Sequence, residues 1–142
     1  MTNKISLEIV SPEKPVLKDD VDFIVIPASD GEIGILPGHT HLLAELAVGE
    51  MRITKGGEVQ LFAVSGGFAE VHPDRVSVFA ETAEMAKEID AERARLAAEK
   101  AKQALSRAVN SQDLENAQAA LRRALMRLHV SEQGSSRRQR PR

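Results

Sequence analysis

Three side chains are spaced for metal chemistry. His39 and His41 alternate, and Glu45 follows. On a β scaffold two imidazoles and a carboxylate can ligate a divalent ion from adjacent positions. The other familiar chemistries lack their residues. The chain of 142 residues has no cysteine, which removes disulfides, thiolate zinc sites and a thiol nucleophile. There is no Gly-x-x-x-x-Gly-Lys-Ser/Thr to cradle phosphates and no Gly-x-Ser-x-Gly to present a nucleophilic serine. Gly31, Gly34 and Gly38 lack the spacing of a dinucleotide fingerprint and read as turn glycines. Asp19, Asp20 and Asp22 read as a solvated acidic turn rather than as catalytic carboxylates.

A second group with chemical capacity is cationic. Arg93, Lys100 and Arg107 fall on one flank of a helix turning about 100° per residue. Arg123 and Arg127 occupy the flank of the same sense on a second helix. In an antiparallel pair those flanks meet, Arg93 toward Arg127 and Lys100 toward Arg123. Like charges at i,i+4 cost about 0.2–0.5 kcal/mol. An anion offsets that cost, and guanidinium groups suit phosphate or carboxylate. The edge can face a phosphate or carboxylate ligand, an acidic protein surface or nucleic acid. It can also be a solvated face balanced by Glu92, Glu99 and Glu115. Tyr and Trp are absent, so a stacking platform for single-stranded nucleic acid is missing.

The elements that position these groups differ between the two parts of the chain. Residues 1–86 hold 6 basic and 14 acidic side chains, net −8; residues 87–142 hold 13 and 7, net +6. Glycine and proline punctuate the first part and are missing from Lys87 to Gln133. Alternation over Lys4–Ile9 and Arg75–Ala80, a short apolar run at Val21–Ile26, and Gly56-Gly57 between Met51–Lys55 and Glu58–Val64 are strand and hairpin signals. Gly66-Gly67 marks a second kink. Residues 1–86 are expected to form an antiparallel β-sandwich.

Residues 87–130 read as an antiparallel two-helix hairpin. Ala94, Ala97, Ala98, Ala101, Ala104, Leu105 and Ala108 repeat at helical spacing, as do Leu114, Ala117, Leu121, Ala124, Leu125 and Leu128. Asp90 is placed to cap the first helix and Ser111 or Asp113 the second. Facing alanines bury little apolar area, so the interface is expected to be weak and able to open. Residues 131–142 read as a disordered basic tail. The longest uncharged stretch, Ile33–Ala44, has 12 residues, short of the ~20 that a spanning helix needs. No basic-then-apolar leader opens the chain, so a secretory signal is not expected.

Two resemblances follow from these segments. His39-Thr40-His41 with Glu45 resembles half of a cupin metal motif, although Ile33 stands where that motif has glycine. Asp30-Gly-Glu-Ile-Gly-Ile-Leu-Pro-Gly-His39, Ser65-Gly-Gly-Phe-Ala-Glu-Val71, Ala80-Glu-Thr-Ala-Glu84 and Ile89-Asp90-x-x-Arg93-Ala94 together resemble the epsilon subunits of bacterial F-type ATP synthases. That resemblance covers about residues 4–130. It implies a ten-stranded sandwich with a helical hairpin and no catalytic residues.

The implied protein is a part of the F1 rotor stalk that couples proton flow to ATP synthesis. It restrains hydrolysis when its hairpin extends. The implied partners are the gamma subunit, the c-subunit ring and, in the extended state, the alpha and beta catalytic subunits. The implied location is the cytoplasmic face of the bacterial membrane, reached through the complex. Glu32 and His39 match positions that face the c ring. Glu84, Ile89, Asp90, Arg93, Ala94, Arg123 and Arg127 match positions that bind ATP as a regulatory ligand, and Lys100 stands where that pattern has Arg. No cofactor is required and no metal is implied. The alternatives are a cupin-like metal enzyme using His39, His41 and Glu45, and a basic-helix nucleic-acid module.

Overall fold

Alternation at the start of the chain produces the first strand. In the computed structural model, which describes residues 3–139 and side chains as far as Gln133, β1 is Ile5–Val10. Ile5, Leu7 and Ile9 are buried there, and Ser6 and Glu8 point out. Seven strands follow: β2 Pro15–Val21, β3 Phe23–Ala28, β4 Gly31–Ile35, β5 Leu42–Glu45, β6 Gly49–Lys55, β7 Glu58–Val71 and β8 Arg75–Met85. They pair in the order β2-β1-β8-β7-β6-β3-β4, with β5 added to β7. The chain divides into two compact units, Met1–Met85 and Ala86–Arg142.

Glycine chemistry sets the path of β7. Gly56 and Gly57, with φ of 58° and 80°, make the tight turn between β6 and β7 and set Lys55 opposite Glu58. Positive φ at both central residues is the two-residue turn whose twist matches paired strands. Farther along, Gly66 and Gly67 again have positive φ, 69° and 108°. Before this kink β7 pairs with β6; beyond it, Phe68–Val71 pair with β5. The strand thus passes from one layer of the sandwich to the other, with β8 beside it throughout. That accounts for eight continuous strands where ten were expected, since β7 and β8 each serve both layers. One core fills the space between them, built from Leu7, Ile9, Ile24, Ile26, Met51, Phe62, Val64, Val76 and Val78 among others.

The expected antiparallel sandwich is present with one parallel pair, and one expectation for this unit needs correction. The sheet is antiparallel except for β1 and β8, which run parallel, Leu7 opposite Val76 and Ile9 opposite Val78. Parallel neighbours need a long connection, and nearly the whole unit separates these two. Asp19 and Asp20 lie on β2, not in a turn. Pairing to β1 and the burial of Val21 hold that segment extended despite its charges.

In the second unit a single 3-10 turn, Ala86–Glu88, leads into α1, Ala91–Ser106, and α2, Ser111–Gln139. Asp90 caps α1, its Oδ1 accepting from the Arg93 backbone N–H at 3.1 Å. Asn110 caps α2, accepting from the Asp113 N–H at 2.8 Å, in place of the expected Ser111 or Asp113. The residue just before the first turn is the one whose side chain reaches its unpaired N–H groups, and that residue is Asn110. Arg107 lies just past the end of α1 as its C-cap and so leaves the flank assigned to it.

Ala94, Ala98 and Ala101 on α1 and Ala117 and Ala124 on α2 are buried. Ala97, Ala104, Leu114 and Leu125 are exposed. The seam is therefore narrower than the expected stripe, because two packed helices share only the a/d positions of a heptad. The backbone of α2 continues to Gln139, so residues 131–139 are helical where a disordered tail was expected. Ser, Glu, Gln and Arg tolerate helix, and no proline interrupts before Pro141. Residues 140–142 lie outside the described residues. Among those described, no helix is long and apolar enough to cross a membrane.

Candidate functional site

The strand registers place an unusual surface on one layer of the sandwich. Glu45 on β5, Phe68 on β7, Phe79 on β8 and Val10 on β1 are direct neighbours in one row. Leu43, Glu70, Ser77 and Glu8 form the next. All lie at outward positions, alternating with the buried Ala44, Ala69, Val78 and Ile9. Phe68 and Phe79 are each 52% exposed and Leu43 is 69% exposed. The Glu81 carboxylate covers the backbone at Gly66 beside this row. An apolar strip with two aromatic rings is thus bordered by Glu8, Glu45, Glu70 and Glu81. Exposed aromatic area of this kind marks a protein-binding surface, and the carboxylates select a partner with a basic rim.

Glu32 lies on β4, at the other edge of the sheet. Arg52 on β6 reaches across β3 and grips it with both nitrogens: Nη2 donates to Oε2 at 3.0 Å and Nη1 to Oε1 at 3.3 Å. Nη1 also donates to Glu50 at 3.3 Å. The hydrogen bonds from Arg52, and then its charge, hold the Glu32 carboxyl below the usual carboxylate range. His39 lies in the loop between β4 and β5, its Nδ1–H donating to the Thr40 carbonyl at 2.7 Å.

The acidic residues near β2 are paired as well. Asp22 accepts from Lys4 Nζ and from the Gly56 N–H, and Asp19 accepts from Lys55 Nζ at 2.7 and 2.8 Å. Both carboxyls are lowered, Asp22 first by its hydrogen bond to Lys4 and Asp19 first by Lys55. A lowered carboxyl adds stability above its unfolded value, about 4, and loses it as pH falls through the folded one. The expected result is a midpoint of thermal unfolding that falls with acidification below about pH 4, and falls less steeply in Asp22→Asn. Equal slopes for the two proteins would remove Asp22 from the account.

The cupin-like alternative finds no ligand cluster. His41 packs edge-on against the His72 ring, His39 turns to its own loop, and Glu45 sits beside Phe68. Among the described residues no group of three or more His, Asp or Glu is placed to hold a metal ion.

The residues matched to ATP binding are distributed as follows. Glu84 is half-buried near the end of β8, opposite Ala63. Ile89 is buried just before α1, Asp90 is its cap, and Ala94 is fully buried in the helix seam. Arg93 and Lys100 on α1 and Arg123 on α2 are exposed, and Arg127 is half-buried. Within this set Asp90 accepts from the backbone N–H of Arg93 and, through its carbonyl, from that of Ala94. Sequence reasoning missed Leu43, Phe68, Phe79 and Arg52. A signal existed for Phe79, because assigning Val76, Val78 and Ala80 to one face puts Phe79 on the other.

The beta-sandwich domain of the ATP synthase delta/epsilon chain matches residues 4–86, and the long alpha-helix domain of the same chain matches residues 87–132. The ATP synthase epsilon chain of Syntrophobacter fumaroxidans is 47% identical over 132 residues, covering 93% of this chain and 98% of the relative. That of Desulforamulus reducens is 45% identical over 126 residues, covering 89% and 96%. A chain in the solved Euglena gracilis mitochondrial ATP synthase, OSCP/F1/c-ring in rotational state 1, superposes with a TM-score of 0.76 at 25% identity. The match covers 96% of this chain and 83% of that one. A chain of the Tetrahymena thermophila central stalk and c ring, at 17% identity and a TM-score of 0.66, shares the fold over 92% and 99%.

Proposed function

Because the chain belongs to the ATP synthase delta/epsilon family, as the non-catalytic epsilon subunit of the F1 stalk, we propose that it docks on the gamma subunit through the Phe68–Phe79 face and couples proton flow to ATP synthesis. The acidic-rimmed aromatic strip is the observation that carries this reading: it offers a large apolar contact and asks for a basic partner. Glu32 and His39 meet the c ring from the opposite edge and the β4–β5 loop. The subunit joins the membrane through the complex, on the cytoplasmic face.

The helical unit restrains ATP hydrolysis by opening and reaching the alpha and beta catalytic subunits. What supports this is the seam of five buried alanines, Ala94, Ala98, Ala101, Ala117 and Ala124. Each contributes one methyl group, so the packed and opened states differ by only a few kcal/mol. Deleting the residues after Lys87 is expected to raise the ATPase activity of the assembled complex severalfold while gamma still co-purifies. Unchanged activity removes the restraint; loss of gamma moves the docking site into the helices.

ATP is the regulatory ligand of this unit, held by the exposed cations Arg93, Lys100 and Arg123 together with Arg127. Lys keeps the charge at position 100 without the planar fork, so affinity is modest. Titration of the full chain with ATP into the millimolar range tests this. Saturable binding that is lost in Arg123→Ala is expected, and an identical response from both proteins overturns it.

A further inference from the structure

Glu32 sits where a side chain is usually loose. β4 is an edge strand, and the Glu32 side chain is 57% exposed. A glutamate without a partner turns through many rotamers, and fixing it costs free energy when something binds. Here Arg52 closes its planar fork on both carboxylate oxygens. The strand register gives the reach this takes. Arg52 is opposite Val25 on β3, Val25 is opposite Gly34 on β4, and Glu32 lies two residues along from Gly34. The arginine therefore crosses one strand and leans along the next. It is anchored at its own end, because Nη1 also donates to Glu50, whose side chain is only 14% exposed. An isolated surface ion pair contributes little, whereas a bidentate arginine within a network is the geometry that does. An ionised carboxylate offers about four acceptor sites. The fork takes two of them, so Glu32 can still accept from a partner.

We infer that Arg52 is a positioning residue: it holds the Glu32 carboxylate in one place and orientation as a ready-made acceptor for a basic side chain on the c ring. The destination of Glu32 rests on the c-ring reading above; the part played by Arg52 rests on the fork and its anchor at Glu50. Lysine carries the same charge without the fork, so charge alone does not replace this residue.

Equilibrium binding of the full chain to a purified assembly of gamma and c ring tests the inference, with binding to gamma alone reporting an intact fold. Arg52→Lys is expected to weaken binding to the assembly about fivefold, the ordering cost of one rotamer-rich side chain, and to leave binding to gamma alone unchanged. Arg52→Gln, a second variant, is expected to lose at least as much. Glu32→Ala is expected to weaken the assembly as well, and adding Arg52→Lys to it is expected to change nothing further. A purely structural arginine would instead cost the same in both backgrounds. If Glu32→Ala weakens binding while Arg52→Lys leaves it unchanged or tightens it, or if the Arg52→Lys loss persists beside Glu32→Ala, the positioning role is overturned and the c-ring reading stands. Wild-type affinity in Glu32→Ala overturns both.

Discussion

Gly67→Ala is expected to unfold the sandwich at temperatures where the wild type is stable. Two separate costs meet at this residue. Its φ of 108° lies where a side chain is strained, and a Cβ would stand 2.0 Å from the Phe79 carbonyl oxygen and 2.9 Å from the Ala80 Cα. Both obstacles are backbone atoms of the neighbouring strand, so no rotamer change relieves them. The β7–β8 ladder must open where Gly67 pairs with Ala80, beside the core residues Ala69 and Ala80. The loss is put at about 4 kcal/mol or more, within the class of strain and overpacking effects. For a domain of this size that is a drop of roughly 15–30 °C in melting temperature. Gly31→Ala and Gly38→Ala are controls, because both have positive φ but open space at the Cβ. They are expected to lose only about 1–2 kcal/mol. Thermal unfolding followed by circular dichroism separates the cases, and a Gly67→Ala protein as stable as the controls would show that the strands are not so close.

The second large effect falls on binding and spares the fold. Phe68 and Phe79 are cross-strand neighbours, each half exposed, on the outer face of their layer. Truncating either to alanine leaves no core cavity, so stability changes by about 1 kcal/mol or less. In a docked complex the same rings become buried aromatic anchors, a class in which truncation costs about 2 kcal/mol or more. Affinity for the gamma subunit is therefore expected to fall about thirtyfold for each substitution. Glu70→Lys, in the next row, is expected to slow association and to reverse its salt dependence, since rim charges act mainly on the encounter rate. Equilibrium and kinetic binding to purified gamma supplies both numbers. Full affinity in the Phe68→Ala, Phe79→Ala double variant would place the docking surface elsewhere.

Local signals carried much of this architecture. The Gly56-Gly57 turn, the alternation of Ile5, Leu7 and Ile9, and the cap at Asp90 each depend on a few adjacent residues, and each is present in the structure. β2 was hidden because Lys18, Asp19 and Asp20 interrupt its apolar residues. An edge strand tolerates such charges, and pairing with β1 supplies what propensity does not. The exposed Phe68–Phe79 face was legible only in part. Parity along β8 turns Phe79 outward, but its meeting with Phe68 depends on a register between strands that no single segment encodes. The same holds for Arg52, whose link to Glu32 crosses a strand lying between them. The alanine seam was visible as a helical repeat, yet its width depended on which positions the partner helix covers.

The parallel ladder between β1 and β8 also fixes an order of events at the ribosome. Residues 6–10 can pair early with β2, but their other edge finds its partners only among residues 75–79, so the first strand made waits for the last strand of its unit to complete its pairing. The β6–β7 hairpin can form as soon as its turn emerges, with its paired residues at most 15 positions apart. Contacts between distant residues form slowly because a long loop must close first. The nascent sandwich therefore keeps one backbone edge of β1 unpaired until translation has passed Phe79. The helices, whose contacts are local, are made last and have the least to wait for.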